Sequence, residues 1–465
     1  MTCITQFKFL FLCCVLCYST NAAAQEIGQP KLGNSQSAKD SPKDDTAELQ
    51  TAIDAGGGVQ LEGRSYFLTK TLVVDLQRTG YFSLRGNGCT KLVMQAAGPA
   101  IRIAGTHTGT ADPKSVKSEV WDRQRAPTIE GIEIVGTQAE ACGIELEETM
   151  QAILSKLVIR QVRHAMRLSK RNRNIIISDC QIYENRGCGI LLDEVDLHQI
   201  NIANCHISYN CGGGIVSKGG NVRNLQVTGC DIEANMCPDQ PATANVLIDC
   251  RTSHYGTAEV AITGCTIQHS NVSGAANVRI FGKGIASEKS DTGYRWGNVT
   301  ITGNVFSDVE TNLHLDGCRG VTVQGNTFWM GYKNNLLVEN CSNIVVGPNN
   351  LDRNPGYDYG TAKTTANAII VQDSQDCTIH GLHISQVSCA PAAMVIERCR
   401  RMNIGGCTIL DCAGVGLLLK DVKDSLVTGC LIQDDQPNRV ATPSCKIING
   451  ENNQLTANRF AQGQE

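Results

Sequence analysis

The sequence predicts an all-β fold: a right-handed single-stranded parallel β-helix, a solenoid of roughly 12 coils, closed at its N-terminus by a short capping helix. Three observations predict it. A nine-residue unit recurs eleven times, its apolar positions suit two short strands meeting at a bend, and a third apolar strand follows many of the copies.

The unit is NVTITGNVF, Asn298 to Phe306. It recurs as NIIISDCQI from Asn174, QINIANCHI from Gln199, NLQVTGCDI from Asn224, EVAITGCTI from Glu259 and GVTVQGNTF from Gly320, with further copies from Asn343, Asp376, Arg401, Asp424 and Asn452. The seventh positions step by 22 to 39 residues, a basic period of roughly 22 to 25 lengthened by insertions, which marks a solenoid. A leucine-rich repeat would need an L-x-x-L-x-L frame, and these units lack it. Apolar residues fill positions two, four, seven and nine, so a strand alternation of two is broken once by a step of three, one residue being spent on a bend. The seventh residue, read as the bend residue, is Cys or Asn in ten of the eleven copies. Stacking places each over the last, where Asn can hydrogen-bond along the column and Cys packs as a small apolar group.

The third strands carry Ile190 and Leu192, Val278 and Ile280, Leu313 and Leu315, Leu336 and Val338, Ile369 and Val371, and Leu417 and Leu419. Three short strands per coil, joined by connections too short for helices, define a parallel β-helix. Its right hand follows from the usual chirality of parallel connections.

In chain order, Lys8, an apolar run from Phe9 to Tyr18 and Ala22, Ala23 and Ala24 read as a secretory signal peptide cleaved after Ala24, too short in its apolar part to span a bilayer. Lipoprotein processing would want a small residue before Cys13, Cys14 or Cys17, and none has one. Residues 25 to 43 read as a flexible lead-in and 44 to 465 as the β-helix domain. Asp45, with Glu48 three residues on, is expected to cap a short helix whose stripe is Leu49 and Ile53, stopped by Gly56, Gly57 and Gly58. That helix plugs the open end of the solenoid. From Leu72 to Leu168 the coils are irregular, and a polar excursion from Thr106 to Pro127 is expected to pack on the flank.

Insertions at Met236 to Ala244, Gly282 to Gly297 and Asp352 to Asn367 are expected to leave from one side of the coil and to form the lips of a groove. Net charge is −4 and 18% of residues are charged, which excludes a strong field for nucleic acid. Of 23 cysteines, many fall on repeat positions that want a small apolar group. Loop cysteines such as Cys211 and Cys237 are candidates for a disulfide.

The groove would be lined by Tyr183, Glu184, His206, Tyr209, Asn210, Asp231, Glu233, His269, Asp308, Glu310, Trp329, Tyr332, Lys333, Asp352, Arg353 and Tyr357, with Asp358 and Tyr359. The Gly282 insertion would add Lys283, Asp291, Tyr294, Arg295 and Trp296. Only 5% of the chain is aromatic, so rings gathered beside acids and bases point to a polysaccharide, whose C–H faces stack on rings and whose hydroxyls meet charged groups.

The run DDTAELQTAIDAGGGVQLEGRSYFLTKTLVV, Asp44 to Val74, resembles the opening segment of the pectate-lyase-superfamily β-helix proteins: two acids and Thr, a helix, glycines, then a turn from Gly63 to Tyr66, here without the proline that often precedes that glycine. The resemblance covers about thirty residues, which the downstream coils extend over most of the chain. It implies a carbohydrate-active β-helix protein without identifying a subclass. Hydrolysis would use two carboxylates, drawn from Glu233, Asp308, Glu310 and Asp352. Elimination would use a base, Arg353, Lys333, His269 or Tyr209, with Ca²⁺ held by Asp308 or Asp352. The Asn-Thr-Asp, Asp-Asp and Gly-His-Gly motifs of polygalacturonases are absent from the coils, as are the Trp-x-Asp-His and Arg-x-Pro-x-x-Arg patterns of the best-known pectate lyases.

The sequence thus points to an exported protein, secreted or periplasmic, monomeric and without a membrane span, that cleaves an acidic polysaccharide as a lyase or glycoside hydrolase. The catalytic candidates are Glu233, Asp308, Asp352, Arg353 and His269, and Tyr209, Trp329, Tyr332, Lys333 and Tyr357 are the substrate-binding candidates. The alternative is a non-catalytic solenoid that binds glycan or matrix.

Overall fold

A computed structural model describes residues 43–241, 243–285, 295–357, 360–437 and 442–461. The signal peptide and all of the lead-in before Lys43 lie outside the described residues, as do Asp291, Tyr294, Asp358 and Tyr359.

Residues from Asp44 onward wind as a right-handed parallel β-helix in which 41 strands hydrogen-bond into one network. At three strands per coil that makes about 14 coils, against the roughly 12 expected from the sequence. Strands Phe82–Met94 and Met166–Ser178 run through corners that later coils turn sharply.

The nine-residue unit folds as two parallel strands, but its bend differs from the one expected. In every copy the first residue has positive φ, from Asn174 at 54° to Asn452 at 53°. So does the sixth, Gly303 at 67° and Asn204 at 52° among them, with Pro348, whose ring forbids it, the exception. The seventh residue points inward as expected, Cys180, Cys205, Cys230, Cys265 and Asn304 all being buried, but the bend itself falls one residue earlier. One left-handed residue reverses the pleat once, which produces the three-residue step in the apolar pattern.

Inside, Phe306 stacks on Phe328 at 4.8 Å between ring centres. Asn304, Asn326 and Asn349 hydrogen-bond in a column at 3.0 Å, as the seventh position predicts. A second ladder lies at the corner after the unit. Asn185, Asn210, Asn235, Asn245, Asn277, Asn312 and Asn335 bond in succession at 2.7–2.9 Å. Asn210 is therefore an interior residue, fully buried, and does not line a groove.

The N-terminal helix is Thr46–Asp54, with Leu49 and Ile53 buried on the end of the core. Asp45 makes no side-chain cap; its carboxylate takes Arg64 and the Phe67 N–H instead. The capping acceptor is Asp44, bonded to the Thr46 N–H at 3.0 Å. The Thr106–Pro127 excursion packs on the flank, where Val116 and Val120 close against Met150.

One expected insertion leaves from another corner. Gly282–Gly297 follows the third strand, Ala276–Phe281, and precedes Gly297–Thr302, the first strand of the next unit. Trp296 packs against the core there under the Arg223 guanidinium, away from the other two insertions. The insertion follows the third strand of Val278 and Ile280 and precedes the unit at Asn298, so grouping it with the other two overlooked its place in the chain order.

Candidate functional site

The second strand of most units is three residues long, with Thr327–Phe328 and Arg459–Phe460 one shorter, so positions eight and ten face outward and nine faces in. Parallel pairing puts His206 opposite Asp231 and Ser208 opposite Glu233, then Glu233 opposite Gln268 and Gln268 opposite Ser307. Trp329 follows in the same outer column, its N–H bonded to the Phe306 carbonyl.

These positions gather a compact polar cluster. His206 Nε2 lies 3.7 Å from Asp231 Oδ2 and 3.8 Å from Glu233 Oε1. His269 Nδ1 is 3.8 Å from Glu233 Oε2, which accepts from Gln268 Nε2 at 3.2 Å. One nitrogen of His206 and one oxygen each from Asp231 and Glu233 lie within 4.8 Å of one another. Burial and the neighbouring Glu233 carboxylate push Asp231 up from the usual carboxylate value, against the pull of His206 and His269. Asp308 is only 5% exposed, and burial pushes it up as well, opposed by the Ser307 hydrogen bond and by His269. Its neighbour Val309 packs in a small apolar cluster with Met236 and Ala275.

The turn residues Tyr209, His269 and Asp308 all have positive φ, 54°, 62° and 55°. The conformation recurs at the same corner on other coils, so it is architecture and not local strain. Beneath them the asparagine ladder grips the strands that carry the cluster: Asn235, Asn245 and Asn277 donate to the carbonyls of Ile207, Gln268 and Ser307 at 2.8–2.9 Å.

Of the sequence candidates, Glu233, His269 and Asp308 come together. Tyr209, 58% exposed, flanks them, its N–H bonded to the Glu233 carbonyl. Trp329 meets Tyr357 at 5.1 Å between ring centres, three coils along, about 14 Å. Tyr332 bonds Asn271 and borders a surface cavity of about 450 Å³ with Thr361, Thr364 and Thr365. Lys333 is paired with Glu310 at 3.0 Å. Asp352 and Arg353 are not brought to Glu233: they lie four coils away, roughly 19 Å, bonded to Ser385 and Ser388. The oxygens expected to hold Ca²⁺, Asp308 and Asp352, sit two coils apart and do not meet. The residues sequence reasoning left out of the catalytic set are His206 and Asp231. Outward positions eight and ten of consecutive units were the signal that finds them.

The fold and its outward-facing cluster define a right-handed parallel β-helix protein. A family profile described as "Right handed beta helix region" matches residues 117–240, and one described as "Periplasmic copper-binding protein (NosD)" matches residues 258–465. No curated protein matches the chain. Among solved structures, tailspike protein 3 of bacteriophage CBA120 is 12% identical at a TM-score of 0.48, over 88% of this chain and 59% of its own. A tailspike mutant of E. coli bacteriophage HK620 in complex with pentasaccharide is 12% identical at 0.49, over 89% and 77%. The A-module of the Azotobacter vinelandii mannuronan C-5 epimerase AlgE4 is 13% identical at 0.37, over 89% and 94%. At these identities the likeness is one of fold alone, and the chain spans under two thirds of the first neighbour's length.

Proposed function

We propose that this is an exported, monomeric polysaccharide-active β-helix protein that cleaves its glycan by hydrolysis at the His206–Asp231–Glu233–His269 cluster. The observation that carries the reading is a pair of carboxylates, Asp231 and Glu233, on the outer face of one strand, with Tyr209 one coil before them and Trp329 against Tyr357 three coils beyond. A pyranose is close to one strand spacing in length, so a sugar chain laid along the coils meets a new rung with each residue. Asp231 and Glu233 are the assigned acid and nucleophile. Their closeness matches the roughly 5 Å separation of retaining enzymes, and the upward push on Asp231 suits the acid's part.

Export is supported by the Cys211–Cys237 disulfide, a bond kept in oxidising compartments, and by the periplasmic description of the family matched downstream. Among the described residues no helix is long and apolar enough to cross a membrane.

The test is to incubate the protein with acidic and neutral polysaccharides, with and without Ca²⁺, following reducing ends beside unsaturated-uronide absorbance. Reducing ends alone are expected, lost by roughly a hundredfold or more in Glu233→Gln. Absorbance rising in step would replace hydrolysis by elimination, and binding without cleavage across the panel would leave a glycan-binding rod.

A further inference from the structure

The geometry points to a divalent transition-metal site formed by His206, Asp231 and Glu233. The inference competes with the hydrolytic reading for the same two carboxylates, and it is tested without glycan so that each can fail separately. His206 is paired in register across the coils with Asp231, and Asp231 and Glu233 share the outer face of one three-residue strand. One imidazole nitrogen and two carboxylate oxygens therefore converge at 3.7 and 3.8 Å from His206. A tetrahedral ion with bonds of about 2.0–2.2 Å wants its ligand atoms roughly 3.3–3.6 Å apart. Small side-chain rotations close that gap.

A second observation is independent of the spacing. His206 Nε2 and Asp231 Oδ1 are shut off from solvent and have no hydrogen-bond partner among the described residues. Buried polar atoms without partners cost free energy, and an ion at the common point would satisfy the nitrogen. The surroundings also suit a ligand set. Gln268 holds the far oxygen of Glu233, leaving Oε1 turned toward His206, and the ladder fixes the strand through the Ile207 carbonyl. Partners of this kind orient metal ligands.

The donor set decides the ion. Ca²⁺ takes six to eight oxygens, whereas one nitrogen and two oxygens on a half-exposed face suit zinc, cobalt or manganese with an outward position left open. The ion would occupy both Asp231 and Glu233, so a metal-loaded protein cannot use them as acid and nucleophile. Metal occupancy and hydrolysis exclude each other.

The experiment titrates the full chain without glycan, after alkylation of the exposed thiols Cys89 and Cys389, which would otherwise bind zinc themselves. Zn²⁺ is followed by calorimetry and Co²⁺ by its visible absorption. One equivalent of each is expected, with tetrahedral Co²⁺ bands. His206→Ala and Glu233→Gln should lose it with circular dichroism unchanged, and Gln268→Ala should bind roughly 10- to 100-fold more weakly. Absent binding, binding indifferent to both ligand substitutions, or Ca²⁺ bound as tightly as Zn²⁺ would overturn the site. Because no glycan is present, silence in the cleavage assay leaves this result standing.

Discussion

Asp308 shows how a single side chain takes its properties from the corner it occupies. It holds a left-handed turn and is buried, and burial pushes its carboxyl up against the opposing pull of the Ser307 hydrogen bond and of His269. A carboxyl with a raised folded pKa binds its proton more tightly in the folded chain than in the unfolded one. The stability it contributes is complete below the ordinary carboxylate value and is lost as pH rises through the folded pKa. The melting temperature should therefore fall as pH rises above the ordinary carboxylate value and through the raised one, and Asp308→Asn should flatten that fall. Equal slopes in the two proteins would show that Asp308 is solvated. His269 and Glu233 were legible in the sequence because they follow a repeat bend on an outward position. Asp231 was placed on the same side, but its register with His206, both at position eight of consecutive units, went unread.

At the scale of elements, the asparagine ladder couples the scaffold to the cluster. Each rung bonds its neighbour above and also takes a carbonyl of a site-bearing strand, so the strands cannot tilt separately. Asn210→Ala would leave one of the two Asn185 amide hydrogens without its acceptor and Asn235 Oδ1 with only the backbone N–H of residue 210, and should cost about 1–3 kcal/mol by urea denaturation. An unchanged midpoint would mean that water replaces the amide. The ladder had a sequence signal that went unread: Asn245, Asn277, Asn312 and Asn335 each stand directly before the first apolar residue of a third strand. The corner that holds the Gly282–Gly297 insertion was misassigned because the unit's first strand is easily taken as its start, when the preceding corner belongs to the turn. Gly297 itself is fixed by the next coil, since an added Cβ would sit 1.5 Å from the Arg319 carbonyl oxygen.

For the whole molecule, each coil contacts chiefly the coils on either side, so stability is close to a sum of coil and interface terms. Amide hydrogen exchange should be slowest in the central coils around Cys205 to Val323 and faster at both ends of the described stack. Uniform protection would indicate one indivisible folding unit instead. This protein's sequence by itself determined the solenoid, its inward columns, the capping helix and the presence of Glu233, His269 and Trp329 on outward positions, because strand alternation and repeat period are written in neighbouring residues. Only the tertiary structure decided that His206, Asp231 and Glu233 converge, that Asn210 is interior, and that Asp352 and Arg353 lie too far away to join them. Those distances depend on how many coils separate two residues and which corner takes each insertion, and a gap of 25 residues along the chain becomes one hydrogen-bonded step only when the coils are in register.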